Sequence, residues 1–269
     1  MGAVLVGTSH GTDDPAGQAA VRALLDGVRA ARPGLDVREA FVDVQQPEVG
    51  DVLAEAVRDA GALGGSGPAA VVVPLLLSTG YHVRHDIAQA VAAVNDAAAP
   101  AAGAAPAPGA AAGLTRVAVA AEPLGPHPLL VDILADRYAA AEAAHGPFTS
   151  DDAVVLAAAG SSVPAAATAV EEVASALAQR LGRRVTPAYG AGAEPRVPAA
   201  VAAARAATPG TARVIVVSYL LAPGYFLDRV LEAGADVVTD PVAGPAGAEK
   251  ADPRLVQVVL DRYDAALGA

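Results

Sequence analysis

The feature that most restricts what this chain can fold into is a repeat: one pattern of strands and helices is written twice in its 269 residues. In the first copy the apolar run Val4-Leu5-Val6 ends in Gly7-Thr8-Ser9-His10-Gly11, and in the second Val154-Val155-Leu156 ends in Ala157-Ala158-Ala159-Gly160-Ser161. Aligning Gly11 with Gly160 sets Ala159 against His10. Further on, Val71-Val72-Val73-Pro74-Leu75-Leu76-Leu77-Ser78-Thr79-Gly80-Tyr81-His82 answers to Ile215-Val216-Val217-Ser218-Tyr219-Leu220-Leu221-Ala222-Pro223-Gly224-Tyr225-Phe226, which sets Phe226 against His82. Pro128-Leu129-Leu130 leading to Asp136-Arg137-Tyr138 is mirrored by Pro253-Arg254-Leu255 leading to Asp261-Arg262-Tyr263. The offset falls from 149 (10 to 159) to 144 (80 to 224) to 125 (128 to 253), so the copies differ by loop deletions. The scaffold is duplicated and the two histidines are not, which predicts a single active site in the first copy.

Both copies alternate short β-branched apolar runs with longer helical stretches, the pattern of parallel βαβ units. Strands are expected near 3–7, 36–42, 69–76 and 116–121, with helices near 14–31, 47–60, 84–97 and 128–143. The second copy reads as strands near 153–158, 184–189, 212–219 and 235–239, with helices near 164–181, 195–207, 225–233 and 253–267. The Ala-Gly-Pro-rich stretch 98–113 has little with which to pack and reads as a flexible loop before the fourth strand. The expected fold class is α/β: two tandem similar domains, each an open four-stranded parallel sheet flanked by helices, in the flavodoxin-like order 2-1-3-4. The copies are expected to divide where His145-Gly146-Pro147 follows the last helix of the first, giving an active domain 1–147 and a degenerate repeat 148–269. Halves of about 130 residues are long enough to bury cores of their own.

Composition narrows the function by exclusion. The absence of cysteine removes disulfides and thiolate metal sites, leaving imidazole and oxygen as possible metal ligands. A formal net charge of −11 repels phosphate backbones, so nucleic acid is not an expected partner, and a polyanionic substrate would need a locally basic site. Gly, Pro and charged residues interrupt every apolar run before it reaches spanning length, and Met1-Gly2-Ala3-Val4 enters a strand without the marks of a signal peptide. The expectation is a cytoplasmic protein with no membrane partner.

Topology then groups the chemistry. His10 lies just past the carboxyl end of strand one, Asp43 at the end of strand two, and His82 a few residues past strand three. In open parallel sheets, ligands bind beyond the carboxyl ends of the strands, where the strand order reverses. With order 2-1-3-4, strands one and three flank that point, so His10 and His82 face one crevice with Asp43 nearby. Two imidazoles and a carboxylate suit Fe2+, Co2+ or Ni2+, and imidazoles also titrate near neutrality and act as bases. His85 reads as a first-turn helix residue, His127 as a loop residue preceding a helix, and His145 as a surface residue.

Ser9-His10-Gly11, Phe41-Val42-Asp43 followed by Pro47, the run from Pro74 through Gly80-Tyr81-His82 to Arg84, and Leu124-Gly125-Pro126-His127-Pro128 together resemble sirohydrochlorin chelatases of the CbiX/SirB type, across both halves. The resemblance implies a class II chelatase that inserts Fe2+ into sirohydrochlorin to make siroheme, or Co2+ on the way to cobalamin, with no cofactor beyond the substrate metal. It implies that His10 and His82 are the metal-handling and catalytic pair, with Asp43 as a further metal ligand where the family often has glutamate. Ser9, Ser78, Thr79, Gly80, Tyr81 and Arg84 are then the expected contacts to the carboxylate-bearing tetrapyrrole. Ala159 and Phe226 mark a second copy that shapes the cleft without chemistry, in a monomer or homodimer.

Two other function classes fit parts of the sequence. Gly7-Thr8-Ser9-His10-Gly11 formally satisfies the G-x-S-x-G elbow of a serine hydrolase with Ser9 as nucleophile, but this leaves the joint loss of both histidines unexplained. A non-catalytic tetrapyrrole carrier of the same fold would need only the cleft. Gly64-Gly65-Ser66-Gly67 precedes a strand instead of following one, so it does not read as a phosphate loop.

Overall fold

The structure, a computed structural model, describes residues 2–61, 67–78, 80–99 and 117–268; for residues 60, 61 and 81–83 it describes the backbone alone. Most of the expected 98–113 loop, and Gly64-Gly65-Ser66, lie outside the described residues. The first copy folds as β1 (Val4–Ser9), α1 (Pro15–Ala31), β2 (Val37–Phe41), α2 (Val49–Gly61), β3 (Ala70–Pro74), α3 (Tyr81–Ala98), β4 (Ala118–Ala120) and α4 (Pro128–His145). The second folds as β5 (Ala153–Ala158), α5 (Pro164–Leu181), β6 (Val185–Tyr189), α6 (Val197–Ala207), β7 (Val214–Tyr219), α7 (Tyr225–Leu231), β8 (Val237–Val238) and α8 (Pro253–Leu267). The sheets run β2-β1-β3-β4 and β6-β5-β7-β8, and every neighbouring pair is parallel, as the repeat and its periodicity predict.

Local chemistry sets most of the boundaries. Asp14 caps α1 by accepting from the Ala16 N–H at 2.7 Å, and Asp252 caps α8 by accepting from the Arg254 N–H at 2.9 Å. Each is followed by proline at the first helical position, where the missing N–H costs nothing. One boundary departs from expectation: α3 begins at Tyr81, three residues before the expected 84, with Gly80 as an extended N-cap that has no side chain to signal it. His82 therefore stands in the first turn of a helix and not in the loop before it. The outer strands β4 and β8 are also shorter than the apolar runs suggest.

Alternation along the strands separates three cores. Val4, Val6 and Val72 face α2 and α3 on the outside of the first sheet, and Val155, Ala157 and Val216 face α6 and α7 on the outside of the second. The inner faces, with Leu5, Val71 and Val73 on one sheet and Val154, Leu156 and Ile215 on the other, belong to one continuous core. Its geometry depends on an exchange: α4 packs on β7, β8 and α5, whereas α8 packs on β3 and α1. Leu255, Val258 and Val259 of α8 are fully buried, each worth roughly 1.5–3 kcal/mol, so the last helix of the second copy completes the first sheet's core. Tyr263 donates its hydroxyl to the Ala3 carbonyl at 2.5 Å, and Arg32 holds both oxygens of Asp264 at 2.6 Å. Arg262 donates to the carbonyls of Leu124 and Pro126, and its counterpart Arg137 to that of Val242. The repeated Asp-Arg-Tyr segment is thus a pair of fasteners between the lobes. Among the described residues no helix is long and apolar enough to cross a membrane.

Candidate active site

The carboxyl ends of β1 and β2 are tied side by side by main-chain bonds from the Val42 N–H to the Ser9 carbonyl (3.0 Å) and from the Asp43 N–H to the His10 carbonyl (3.1 Å). Gly11 makes this approach feasible: its φ is +92°, and a Cβ on it would stand 2.6 Å from the Asp43 carbonyl oxygen. Asp43 turns its own carboxylate back to accept from the Val44 N–H at 2.8 Å. Val44, a β-branched residue held at φ +55° and half exposed, is a conformational outlier of the kind that gathers at functional sites.

Between the lobes, beyond these strand ends, lies a cavity of about 590 Å3. Its walls include His10, Thr12, Val44 and Ser78 from the first lobe and Ala159, Tyr219, Tyr225, Phe226 and Asp228 from the second. Tyr219 fixes the floor by donating its buried hydroxyl to the Leu77 carbonyl at 3.1 Å, and burial pushes its pKa up, so it remains a donor. A neighbouring cavity of about 580 Å3 shares Ser78 and is walled by Gly80, Arg84, Glu122 and Arg262.

The expected site residues distribute as follows. His10, Ser78, Gly80 and Arg84 stand on these cavity walls. Asp43 is exposed and bonded to His10 through the backbone, with Val44 the member of that turn that reaches the cavity. Ser9 is the last residue of β1 and buried, not raised on an elbow. His82 and Tyr81 open α3, and their side chains lie outside the described residues, as does the whole of Thr79. No three metal-capable side chains converge among the described residues.

His127 is a structural residue. Its Nδ1 accepts from the Leu129 N–H at 3.2 Å as the cap of α4, which leaves the proton on Nε2, 3.3 Å from Asp261. Burial lowers its pKa, the Arg262 guanidinium adds to the lowering, and Asp261 opposes both.

The second lobe repeats this frame without its titratable side chains. The Ala191 N–H donates to the Ala159 carbonyl at 2.8 Å, as the Asp43 N–H does to His10, and Gly160 repeats Gly11 with φ +84°. Both second-strand corners carry a cis X-Pro bond, Gln46-Pro47 and Glu194-Pro195. Ala191 therefore occupies the place of Asp43, a third loss beside Ala159 and Phe226 that the sequence comparison stopped short of finding. Extending the alignment along β6 would have found it, since Phe41 and Tyr189 pair with the same corners. Phe226, second residue of α7, packs over Gly190 against the outer core, while Tyr225 is exposed at the rim. Val44, Tyr219 and Arg262 were also missed, because nothing in their local sequence marks them.

A protein-family model described as CbiX matches residues 4–141 and 153–266. Among curated proteins none matches in sequence. SirB from Bacillus subtilis with Fe3+ shares the fold at 18% identity and a TM-score of 0.74, covering 99% of this chain and 96% of that one. The sirohydrochlorin chelatase SirB from Bacillus subtilis subspecies spizizenii, in complex with cobalt, matches at 18% identity and a TM-score of 0.69, covering 100% and 96%. CbiX, described as the terminal enzyme for biosynthesis of siroheme in denitrifying bacteria, matches at 20% identity and a TM-score of 0.58, covering 99% and 100%. With the family model spanning both copies on a fold shared from end to end with these structures, the chain belongs to the CbiX-type chelatase family.

Proposed function

We propose that the chain inserts Fe2+ into sirohydrochlorin to make siroheme, with His10 and His82 handling the metal and the displaced protons and Asp43 as a further ligand. The carrying observation is the unequal pair of lobes: the hydrogen-bonded corner survives in both, while Ala159, Ala191 and the helix-opening Phe226 replace all three polar groups in one. Retaining a turn while losing its titratable side chains separates chemistry from folding. Insertion exchanges two pyrrole N–H protons for one dication, so the site must deliver a cation and accept protons. Neutral imidazoles do both and hold the ion loosely enough to release it. Asp13 and Asp228 in the cleft wall favour a cation beside His10. Ser9, Ser78, Thr79, Gly80, Tyr81 and Arg84 are assigned to the tetrapyrrole.

On this reading residues 1–147 carry the chemistry and 148–269 form a degenerate repeat that closes the cleft, so one chain suffices, working in the cytoplasm. Anaerobic absorbance assays of sirohydrochlorin with limiting Fe2+, Co2+ or Ni2+ test it. His10→Ala and His82→Ala should each slow insertion by roughly 100-fold or more, and Asp43→Ala by about tenfold, while Ser9→Ala should raise KM by no more than about tenfold, where a serine nucleophile would lose all activity. Full rates in both histidine variants refute the assignment, and faster turnover with Co2+ at limiting metal reassigns the product to the cobalamin branch.

A further inference from the structure

The two cavities that meet at Ser78 carry opposite charge. On the His10 side the described lining residues include Asp13 and Asp228 and neither arginine nor lysine. On the far side stand Arg84 and Arg262, with Glu122 the single acid among the described lining residues. The chain as a whole is acidic, with 18 basic and 29 acidic residues, so the excess of arginine here is local. Arg84 makes no ion pair among the described residues, unlike Arg32, which is neutralised by Asp264. Arg262 comes from the exchanged helix α8, and its Nη2 is fixed by the carbonyls of Leu124 and Pro126 at 3.1 and 2.7 Å. A guanidinium held by neutral carbonyls keeps its full charge and a set orientation. Its counterpart Arg137 makes the same kind of bond, to Val242, yet lies on neither cavity wall. The fastening role is therefore common to both copies, and the cavity position belongs to Arg262 alone.

We propose that the second cavity receives a carboxylate side arm of the tetrapyrrole, with Arg84 and Arg262, one from each repeat, as its cationic receptors and Glu122 as an opposing charge that limits affinity. This rests on the chelatase reading and extends it. A polycarboxylate has no favourable position among the aspartates near His10, and a dication has none between two guanidiniums. Segregating the charges keeps the arms from competing for the incoming ion, and anchoring them fixes the ring relative to His10.

The test is metal-free binding of sirohydrochlorin and of its methyl ester, followed by absorbance titration at low salt, together with insertion kinetics. Arg262→Gln should weaken binding of the acid by about tenfold and Arg84→Gln by about three- to tenfold, whereas Glu122→Gln should tighten it by about threefold. The ester should be insensitive to all three, and KM should rise in the arginine variants with kcat largely kept. Arg137→Gln removes an equivalent fastener and should leave the Kd of both ligands unchanged. Equal changes for acid and ester, an effect of Arg137→Gln as large as that of Arg262→Gln, or no response to Glu122→Gln each overturns the subsite. If the unmodified protein inserts metal and these variants do not discriminate, the subsite alone falls; if it neither binds sirohydrochlorin nor inserts metal, the chelatase reading falls with it.

Discussion

Gly11→Ala is the substitution that most directly tests whether the corner between His10 and Asp43 is built for function. A methyl at residue 11 would stand 2.6 Å from the Asp43 carbonyl oxygen, 3.1 Å from the Val44 Cβ and 3.2 Å from the Gln45 nitrogen. Gly34 supplies the control, because its φ of +91° matches the +92° of Gly11 while nothing lies within 4 Å of its Cβ. The torsional cost of alanine in this region, about 1–2 kcal/mol, is common to both and cancels in the comparison. What remains for Gly11→Ala is overpacking, about 1–3 kcal/mol, or roughly 2–4 °C of Tm per kcal/mol in a chain of this size. Relief requires the two strand ends to move apart, stretching the 3.1 Å bond that joins them. A displacement of about 1 Å at a reacting group costs on the order of 100-fold in rate, so metal insertion should fall that far in Gly11→Ala and stay within about twofold in Gly34→Ala. Gly160→Ala repeats the clash in the second lobe, 2.0 Å from the Ala191 carbonyl oxygen, and should cost stability without a comparable loss of rate in the folded protein. Thermal denaturation and initial rates of insertion measure the two effects. If Gly11→Ala matches Gly34→Ala in both, the corner does not position the site.

Asp152→Ala should destabilise the protein by about 3 kcal/mol or more, because this buried carboxylate accepts from the Arg213 and Thr149 N–H groups at 2.7 Å and from the Arg213 guanidinium at 3.1 Å. Burial works against the charged form there, and the Arg213 and Thr149 hydrogen bonds outweigh it, holding the pKa below the usual aspartate range. That contribution is therefore complete above the unfolded pKa of about 3.9 and is lost as pH falls through the lower folded value; urea midpoints from pH 7 to pH 3 should fall more steeply in the unmodified protein than in Asp152→Ala. Val44→Gly should raise stability by about 1 kcal/mol by releasing a β-branched residue from φ +55°, while weakening tetrapyrrole binding at the cleft wall, and a Tm that falls would contradict the strain argument. Tyr219→Phe should cost about 1–3 kcal/mol in chemical denaturation by leaving the Leu77 carbonyl without its 3.1 Å donor between the lobes.

Much of the fold was legible in the sequence because strands and helices are short-range objects. Short β-branched apolar runs marked the strands, and the longer stretches between them marked the helices. The repeat then required one strand order to serve both copies and singled out His10, whose partner Ala159 sits on the same corner. The start of α3 was not legible, since Gly80 caps it by backbone conformation alone. The sequence by itself determined two copies of a four-strand parallel βαβ pattern, through periodicity, and pointed to the first as the carrier of the candidate chemistry, through side chains lost from the second. Tertiary structure alone decided that α4 and α8 change places, that Tyr219 spans to Leu77, and that Arg262 of one repeat lines the same cavity as Arg84 of the other. The Tyr219–Leu77 and Arg262–Leu124 bonds join residues more than 100 positions apart, where no local pattern records which inner face a helix will cover. The choice is made when two apolar faces bury each other in one core.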